Sequence, residues 1–190
     1  RATLKHAYTE DERDTLLHWL GAHTAPSIHA YFVTAFYTGM RTGELLALSW
    51  DDYDGQRLRV NKARVRGDIT TTKTDTVRFV ALPETPIRVL NALPSRFQRQ
   101  TVFTNQYGKP YRSGYHLNKA FRTAHAATEI RHRTGPYPWR HTYASIGLTH
   151  GVEPAWLAKQ LGHSLQMFYT VYAEWIDSSE RDQRELAKLT

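Results

Sequence analysis

Polar and apolar positions alternate with a helical period over the first fifty residues. Thr9, followed three residues later by Glu12, has the form of a capping box and predicts a helix from there to about Gly21. Pro26 suits the first turn of a second helix over IHAYFVTAFYTGM, whose apolar residues keep near-helical spacing, with Gly39 as its stop. GELLALSW predicts a short third helix. The period then changes. RLRVNKARVR and TVRFVALP are rich in Val, Thr and Phe and alternate in polarity, so they predict strands of a small antiparallel sheet, with GDITTTKTD around its turns. PETPIRVLNAL returns to helical spacing behind a proline. After the looser VFTNQYGKPYRS, a helix is expected from about Ser113 to His132. Pro136 and Pro138 lead into another over WRHTYASIGLTHG, closed by Gly151. EPAWLAKQLG and SLQMFYTVYAEW predict two more. A last charged helix, SSERDQRELAKL, could pack on the domain or on a neighbour. The fold class expected is α+β, mostly α-helical with a small antiparallel β-sheet.

Composition narrows what such a fold does. The chain has 190 residues, 41% of them hydrophobic, which suits a single domain over 1–190 with a full core. Cysteine is absent, so a disulfide frame and a thiolate metal site are excluded. No apolar run approaches a membrane span, and the opening RATLKHAYTE has no secretory apolar region. The first residue is Arg rather than Met. The expectation is a piece of a longer protein, soluble and cytoplasmic, with no membrane partner.

The net charge is +7, and its distribution says more than its size. Residues 1–55 carry four Lys/Arg against eight Asp/Glu, and residues from 142 onward four against six. Between them, residues 56–82 carry seven against two and residues 96–141 nine against one. Two internal basic stretches flanked by mildly acidic ends point to a polyanionic partner, because each Lys or Arg that reaches a phosphate releases condensed counterions.

Breaking a phosphodiester without a metal needs groups of three kinds. Arginines must meet the charge that develops on the non-bridging oxygens, since their planar fork makes paired bonds and keeps its proton. A nucleophile must attack phosphorus, and a donor must protonate the departing 5′ oxygen. Three stretches offer candidates: Arg41 in TGMRTGELLALSW, Arg140 and His141 in PWRHTYASIGLTHG, and His163 nine residues before Tyr172 in LGHSLQMFYTVYAEWI.

Together these stretches resemble the tyrosine recombinase, or phage-type integrase, family. TGMRTGEL matches the family box T-G-x-R-x-x-E-L, which implies that Arg41 is the first catalytic arginine and Glu44 its acidic buttress. YPWRHT matches H-x-x-R-H-T and implies that Arg140 is the second, with His141 in a supporting place. L-G-H and a tyrosine nine positions on imply His163 and the nucleophile Tyr172. Lys73, ahead of Arg78 and VALP, has the spacing of the family's β-hairpin lysine, which implies the general acid. The order and separations agree over about residues 9–176. The resemblance implies the tyrosine recombinase catalytic-domain fold and site-specific cleavage and rejoining of double-stranded DNA at attachment sites. It further implies a homo-tetramer on DNA and a monomer in isolation, help from accessory DNA-bending proteins, and no cofactor or metal.

One position departs from the family pattern: Tyr137 stands where the second box opens with histidine. A phenol near neutral pH stays protonated and is a poor base, so Tyr137 is expected to hold a phosphate oxygen or orient its neighbours. Tyr169 and Tyr143 compete with Tyr172 as nucleophile, and Lys62 and Lys109 with Lys73 as acid. The attack by Tyr172 is expected to draw on the positive field of Arg41, Arg140 and His163. Among the remaining cations, Arg64, Arg66, Arg112, Lys119 and Arg122 are expected to follow DNA phosphates. His125, His132, His141 and His150 recur without an H-E-x-x-H pattern, so no metal is expected. Two other readings stand beside this one: activity like that of a type IB topoisomerase, and a catalytically weakened DNA-binding module on the same fold.

Overall fold

Helix boundaries in this chain are set by local chemistry. A computed structural model describes residues 7–71, 77–98, 100–131, 137–176 and 186–187. In helix α1 (Glu10–His23), the Thr9 hydroxyl accepts from Glu12 N (3.2 Å) and Thr9 N donates to the Glu12 carboxylate (2.9 Å). Both halves of the capping box are therefore present. The helix runs past Gly21, where a stop was expected, because Thr24 closes it instead: its N–H and hydroxyl both donate to Leu20 O.

Helix α2 (Pro26–Thr38) starts on its proline and ends at Gly39. Residues 30–36 are all buried, as expected of a helix that is apolar on every side. It packs on α1, on α4 (Glu84–Asn91) and on α7 (Pro138–Thr149), and so forms the axle of the domain. Helix α3 (Thr42–Ala47) and a single 3-10 turn, Trp50–Asp52, lead into the strands.

The strands form two ladders rather than the one sheet expected. β1 (Arg57–Val60) pairs antiparallel with β4 (Arg78–Ala81), with Leu58 opposite Val80 and Val60 opposite Arg78. β2 (Lys62–Val65) pairs with β3 (Asp68–Thr71), with Arg64 opposite Ile69. Residues 68–71, expected around the turns, are thus a strand. The reversal comes earlier, at Arg66 and Gly67, which both take positive φ (51° and 96°), the two-residue turn whose twist suits a hairpin. β3 buries no side chain, so backbone pairing and its β-branched residues hold it. β2 lies directly on α3: a Cβ at Gly43 would come within 2.8 Å of Arg64 O, so only glycine permits that approach.

Beyond β4, α4 is followed by a short helix α5 (Ser95–Gln98), which the pattern did not announce, and by α6 (Tyr115–Thr128). After α7 come α8 (Pro154–Leu161) and α9 (Leu165–Ile176). The last helix expected, over residues 178–189, falls almost entirely outside the described residues.

Two apolar clusters result. The larger gathers α1, α2, α3, α6, both strands of the β1–β4 ladder and Trp139. Its centre is aromatic: Phe32 stacks on Phe121 at 4.7 Å, and Trp139 meets Phe32 and Tyr31 edge-on at 6.2 and 6.4 Å. Such pairs add about 0.5–1.5 kcal/mol each beyond burial. The smaller cluster is built by Ala144, Leu148, Leu157, Ala158, Leu161, Phe168 and Tyr172. Among the described residues, no helix is long and apolar enough to cross a membrane.

Candidate active site

The seam between the two clusters carries Arg41, Glu44, Arg140 and His163. On one side, Glu44 lies in the first turn of α3 and is 4% exposed. Its carboxylate accepts from Arg41 N (2.8 Å) and Arg41 Nη1 (3.1 Å), closing the first turn of α3 from within. It also accepts a fork from Arg78, at 3.0 Å from Nη1 and 2.8 Å from Nη2. Burial pushes the Glu44 carboxyl up, but the Arg78 bonds and charge, then those of Arg41, outweigh it and hold the group below its ordinary value. Arg41 keeps 40% of its side chain exposed beside this carboxylate.

Arg140 enters from α7. The indole of its neighbour Trp139 donates to Met40 O (2.9 Å), which fixes the start of α7 against the end of α2. Arg140 Nη1 then donates to Gly39 O (2.9 Å) and Nη2 to Leu161 O. One guanidinium therefore ties the end of α2 to the end of α8. Burial, followed by the charge of Arg41, lowers its pKa to about 10, and it stays a cation at neutral pH.

His163 is placed by a helix end. Gly162 takes φ 67°, Gly162 N donates to Lys159 O (3.2 Å) and His163 N to Ala158 O (2.9 Å). This is a Schellman closure, and glycine fits its left-handed residue without strain. The imidazole is thereby turned toward the cations. Burial first, then the charges of Arg140, Arg41 and Arg78, drive its pKa down to about 3. The field expected to include His163 thus lacks it: the ring is neutral at pH 7, because burial and three neighbouring guanidinia disfavour a further positive charge.

Tyr172 lies at a break in α9, with φ −115° and ψ 19°, and is 1% exposed. Its ring packs on Phe168 (4.7 Å) and faces His141 (5.9 Å). Burial raises its pKa to about 12, against the opposing charge of Arg140. The expected gain for the phenolate is therefore outweighed by desolvation in the chain alone. Tyr169 is 43% exposed on α9. Tyr143 packs on the smaller cluster beside Gly39 and lines an apolar cavity of about 380 Å³ with Phe36, Ile146 and Trp156. Of the three tyrosines, Tyr172 is the one set against both Arg140 and His141.

Tyr137 is the residue ahead of α7 and takes φ 62°, a left-handed conformation unusual for a bulky side chain. Its ring meets Trp139 edge-on at 6.0 Å. Lys73 lies outside the described residues, as do His132 and Arg133. Of its rivals, Lys62 is committed elsewhere: its Nζ bonds the buried Asp52 (2.8 Å) and Ser49 Oγ (2.9 Å). Lys109 is exposed.

The basic residues expected to meet DNA divide into two kinds. Arg66, Arg112, Lys119 and Arg122 are exposed, the last two on one face of α6. Gly114, at the start of α6, lies against Thr42, so this helix begins beside Arg41. Arg64 instead folds back, donating from Nε to Leu46 O (3.3 Å) and from Nη1 to Gly67 O (2.6 Å), and so braces the β2–β3 turn on α3. Arg59 pairs with Asp52 and Arg57 with Asp54. His125 bonds the Tyr8 hydroxyl (2.6 Å) and His150 the Glu10 carboxylate (2.6 Å). Among the described residues, no three His, Cys, Asp or Glu side chains come together to hold a metal.

Sequence reasoning used Arg78 only as a spacing mark and passed over Gln160. The signal was available for Arg78: it shares inward parity on β4 with the fully buried Val80, and an inward charge on a strand requires a buried partner. Nothing local marked Gln160, whose side chain accepts from Ala81 N (2.8 Å).

The chain is 32% identical to the prophage integrase IntR of Escherichia coli (strain K12), over an alignment of 182 residues covering 78% of this chain and 43% of the relative. It is 28% identical to a XerC-like tyrosine recombinase of Caldanaerobacter subterraneus subsp. tengcongensis, covering 72% of this chain and 42% of that one. The chain thus spans less than half the length of these curated relatives. Among solved structures, it superposes on a Tn1549 transposon integrase in complex with a circular intermediate DNA with a TM-score of 0.80 at 19% identity, covering 96% of this chain and 65% of that one. It superposes on the XerA recombinase with a TM-score of 0.70 at 19% identity, covering 96% and 64%. The expected α+β recombinase fold is therefore present. The profile of the phage integrase family matches residues 7–177, and the chain belongs to that family.

Proposed function

We propose that residues 1–190 act as the catalytic domain of a site-specific DNA recombinase, which cuts and rejoins strands through a 3′-phosphotyrosyl bond to Tyr172. The observation that carries this reading is the meeting of Arg41, Arg140, His163 and Tyr172 at one seam, assembled from the starts of α3 and α7, the end of α8 and the break in α9.

The chemistry follows from the charges. Arg41 and Arg140 place two permanent cations where a phosphodiester gains negative charge in the transition state. The incoming phosphate supplies the anion that opposes their effect on His163. The proton affinity of the imidazole then rises, and it can donate a hydrogen bond to a non-bridging oxygen. The Tyr172 oxygen attacks phosphorus, the bond to the 5′ oxygen breaks, and the phenolic proton passes to water or a weak acceptor. Lys73 protonates the departing 5′ oxygen. Attack by a 5′-hydroxyl from a partner strand reverses the step and needs no external energy. Glu44 buttresses Arg41, His141 packs beside the nucleophile, and Tyr137 supports the phosphate or its neighbours. With Tyr172 1% exposed, the hydroxyl must move outward to reach DNA, so DNA binding and a shift near the break in α9 belong to one event.

Double-stranded DNA at attachment sites is the proposed partner, met by Arg66, Arg112, Lys119 and Arg122, with four copies assembling on it from monomers and accessory DNA-bending proteins assisting. The proposed location is cytoplasmic, on the nucleoid. The test is to incubate the chain with nicked duplexes of randomised sequence, denature, and sequence any DNA that remains protein-bound. Recovery of a common motif, lost in Tyr172→Phe, supports the reading. Supercoil relaxation without sequence preference favours a topoisomerase, and failure to form any adduct favours a non-catalytic DNA-binding module.

A further inference from the structure

We infer that Arg78 is a positioning residue that holds the Arg41 and His163 halves of the site in register and leaves Arg41 turned outward. The inference rests on the function proposed above. Arg78 leaves the inward face of β4, 12% exposed, and uses three donors on two elements. Nη1 and Nη2 grip Glu44 on α3, while Nε donates to Gln160 O near the end of α8 (3.0 Å). A second strap runs alongside, from Ala81 N to the Gln160 side chain (2.8 Å). The guanidinium also lies 3.1–3.2 Å from where a Cβ on Gly162 would stand, directly under the turn that carries His163.

Competition for Glu44 is the reason this matters. A carboxylate this buried draws any cation that can reach it. Arg41 gives it one backbone N–H and one side-chain donor, and keeps much of its guanidinium exposed. That is possible because Arg78 supplies the fork. Without Arg78, Glu44 keeps Arg41 as its remaining salt-bridge partner among the described residues and draws that guanidinium inward, away from a phosphate. At the same time, α8 loses its main-chain tie to β4.

The test uses the nicked duplex recovered above, with cleavage, DNA affinity and the Glu44 carboxyl titration (by carbon NMR) measured side by side. Arg78→Met should cut single-turnover cleavage about 100-fold, as a misplacement of about 1 Å can. DNA affinity should stay within about twofold, because Arg78 is nearly buried and its Nε, Nη1 and Nη2 are committed to Gln160 and Glu44. Adding Glu44→Gln should reverse sign with background: it lowers cleavage in the wild type but raises it about tenfold in Arg78→Met, where neutralising residue 44 frees Arg41. The Glu44 titration should move upward in Arg78→Met, a change read without DNA. Arg78→Lys keeps a charge but has no fork; should Arg78→Met fail to fold, it carries the same test. Cleavage within about threefold of wild type in both variants, or loss of cleavage with an unmoved Glu44 titration, overturns the inference. A wild type that forms no adduct overturns the recombinase reading instead, while the titration still decides whether Arg78 governs Glu44.

Discussion

The two apolar clusters differ in what they are for. The larger is filled by rings from α2, α6 and α7, and its rim holds charged groups in multiply bonded positions, as with Glu44 under Arg78 and Arg41. The smaller is mostly aliphatic, spans three short helices, and has the proposed nucleophile as one of its own core side chains. One cluster therefore supports the cations from behind, while the other encloses the group that must come out. A phosphate-cleaving site built this way keeps its permanent charges rigid and its reactive hydroxyl sheltered. Joining the two are backbone carbonyls, those of Gly39 and Leu161 for Arg140 and that of Gln160 for Arg78, so the seam depends on helix ends being correctly closed.

That contrast can be broken or sharpened, and the largest effect should come from the smaller cluster. Tyr172→Phe keeps the packing against Phe168 but removes the attacking oxygen, so covalent trapping of nicked DNA should fall by at least about 10⁴-fold with little change in melting temperature. Trapping by Tyr172→Phe that is lost instead in Tyr169→Phe would move the nucleophile to the exposed tyrosine and dissolve the contrast.

Alanine at the centre of each cluster should separate scaffold from enclosure. Phe32→Ala should cost about 3–5 kcal/mol of global stability. Phe168→Ala should show its loss mainly as faster amide exchange in α8 and α9, with α2 and α6 still protected. Equal loss of protection throughout both variants would mean a single cooperative core.

The seam itself should show in pH dependence. The pKa of His163 is lowered in the folded chain, from 6.5 to about 3, so the unfolded chain binds a proton that the folded one refuses. Stability should therefore fall as pH drops from about 6.5 toward 3, with a shallower slope in His163→Asn. Bound DNA should raise the His163 pKa in an NMR titration; an unchanged value would place the phosphate elsewhere.

The smallest effect is expected at Tyr137. Histidine tolerates the left-handed conformation better than tyrosine, so Tyr137→His should alter stability by less than about 1 kcal/mol and leave cleavage unchanged or improved. A wild type without activity that histidine rescues would show that the phenol cannot replace the imidazole.

Much of this was legible in the chain wherever the signal was local. The Thr9–Glu12 box, Pro26, Gly39 and the Leu161–Gly162–His163 helix end each act within a few residues, and each appears where the sequence put it. The Arg66–Gly67 turn was missed because an arginine with positive φ has no strong sequence signature. Arg64 read as a phosphate contact because its carbonyl partners become neighbours only when α3 lies on β2.

By itself, then, the sequence determined most of the helices, the strands of residues 57–65 and 78–81, the basic middle of the chain and the order of the candidate catalytic residues, since spacing and composition are properties of a linear chain. Only the tertiary structure decided that Arg78, 34 positions from Glu44, would relieve Arg41 of that carboxylate. It alone decided that His163 would be neutral and Tyr172 enclosed. Desolvation and the interaction of charges depend on what surrounds a group in space, and elements distant in sequence supply those surroundings.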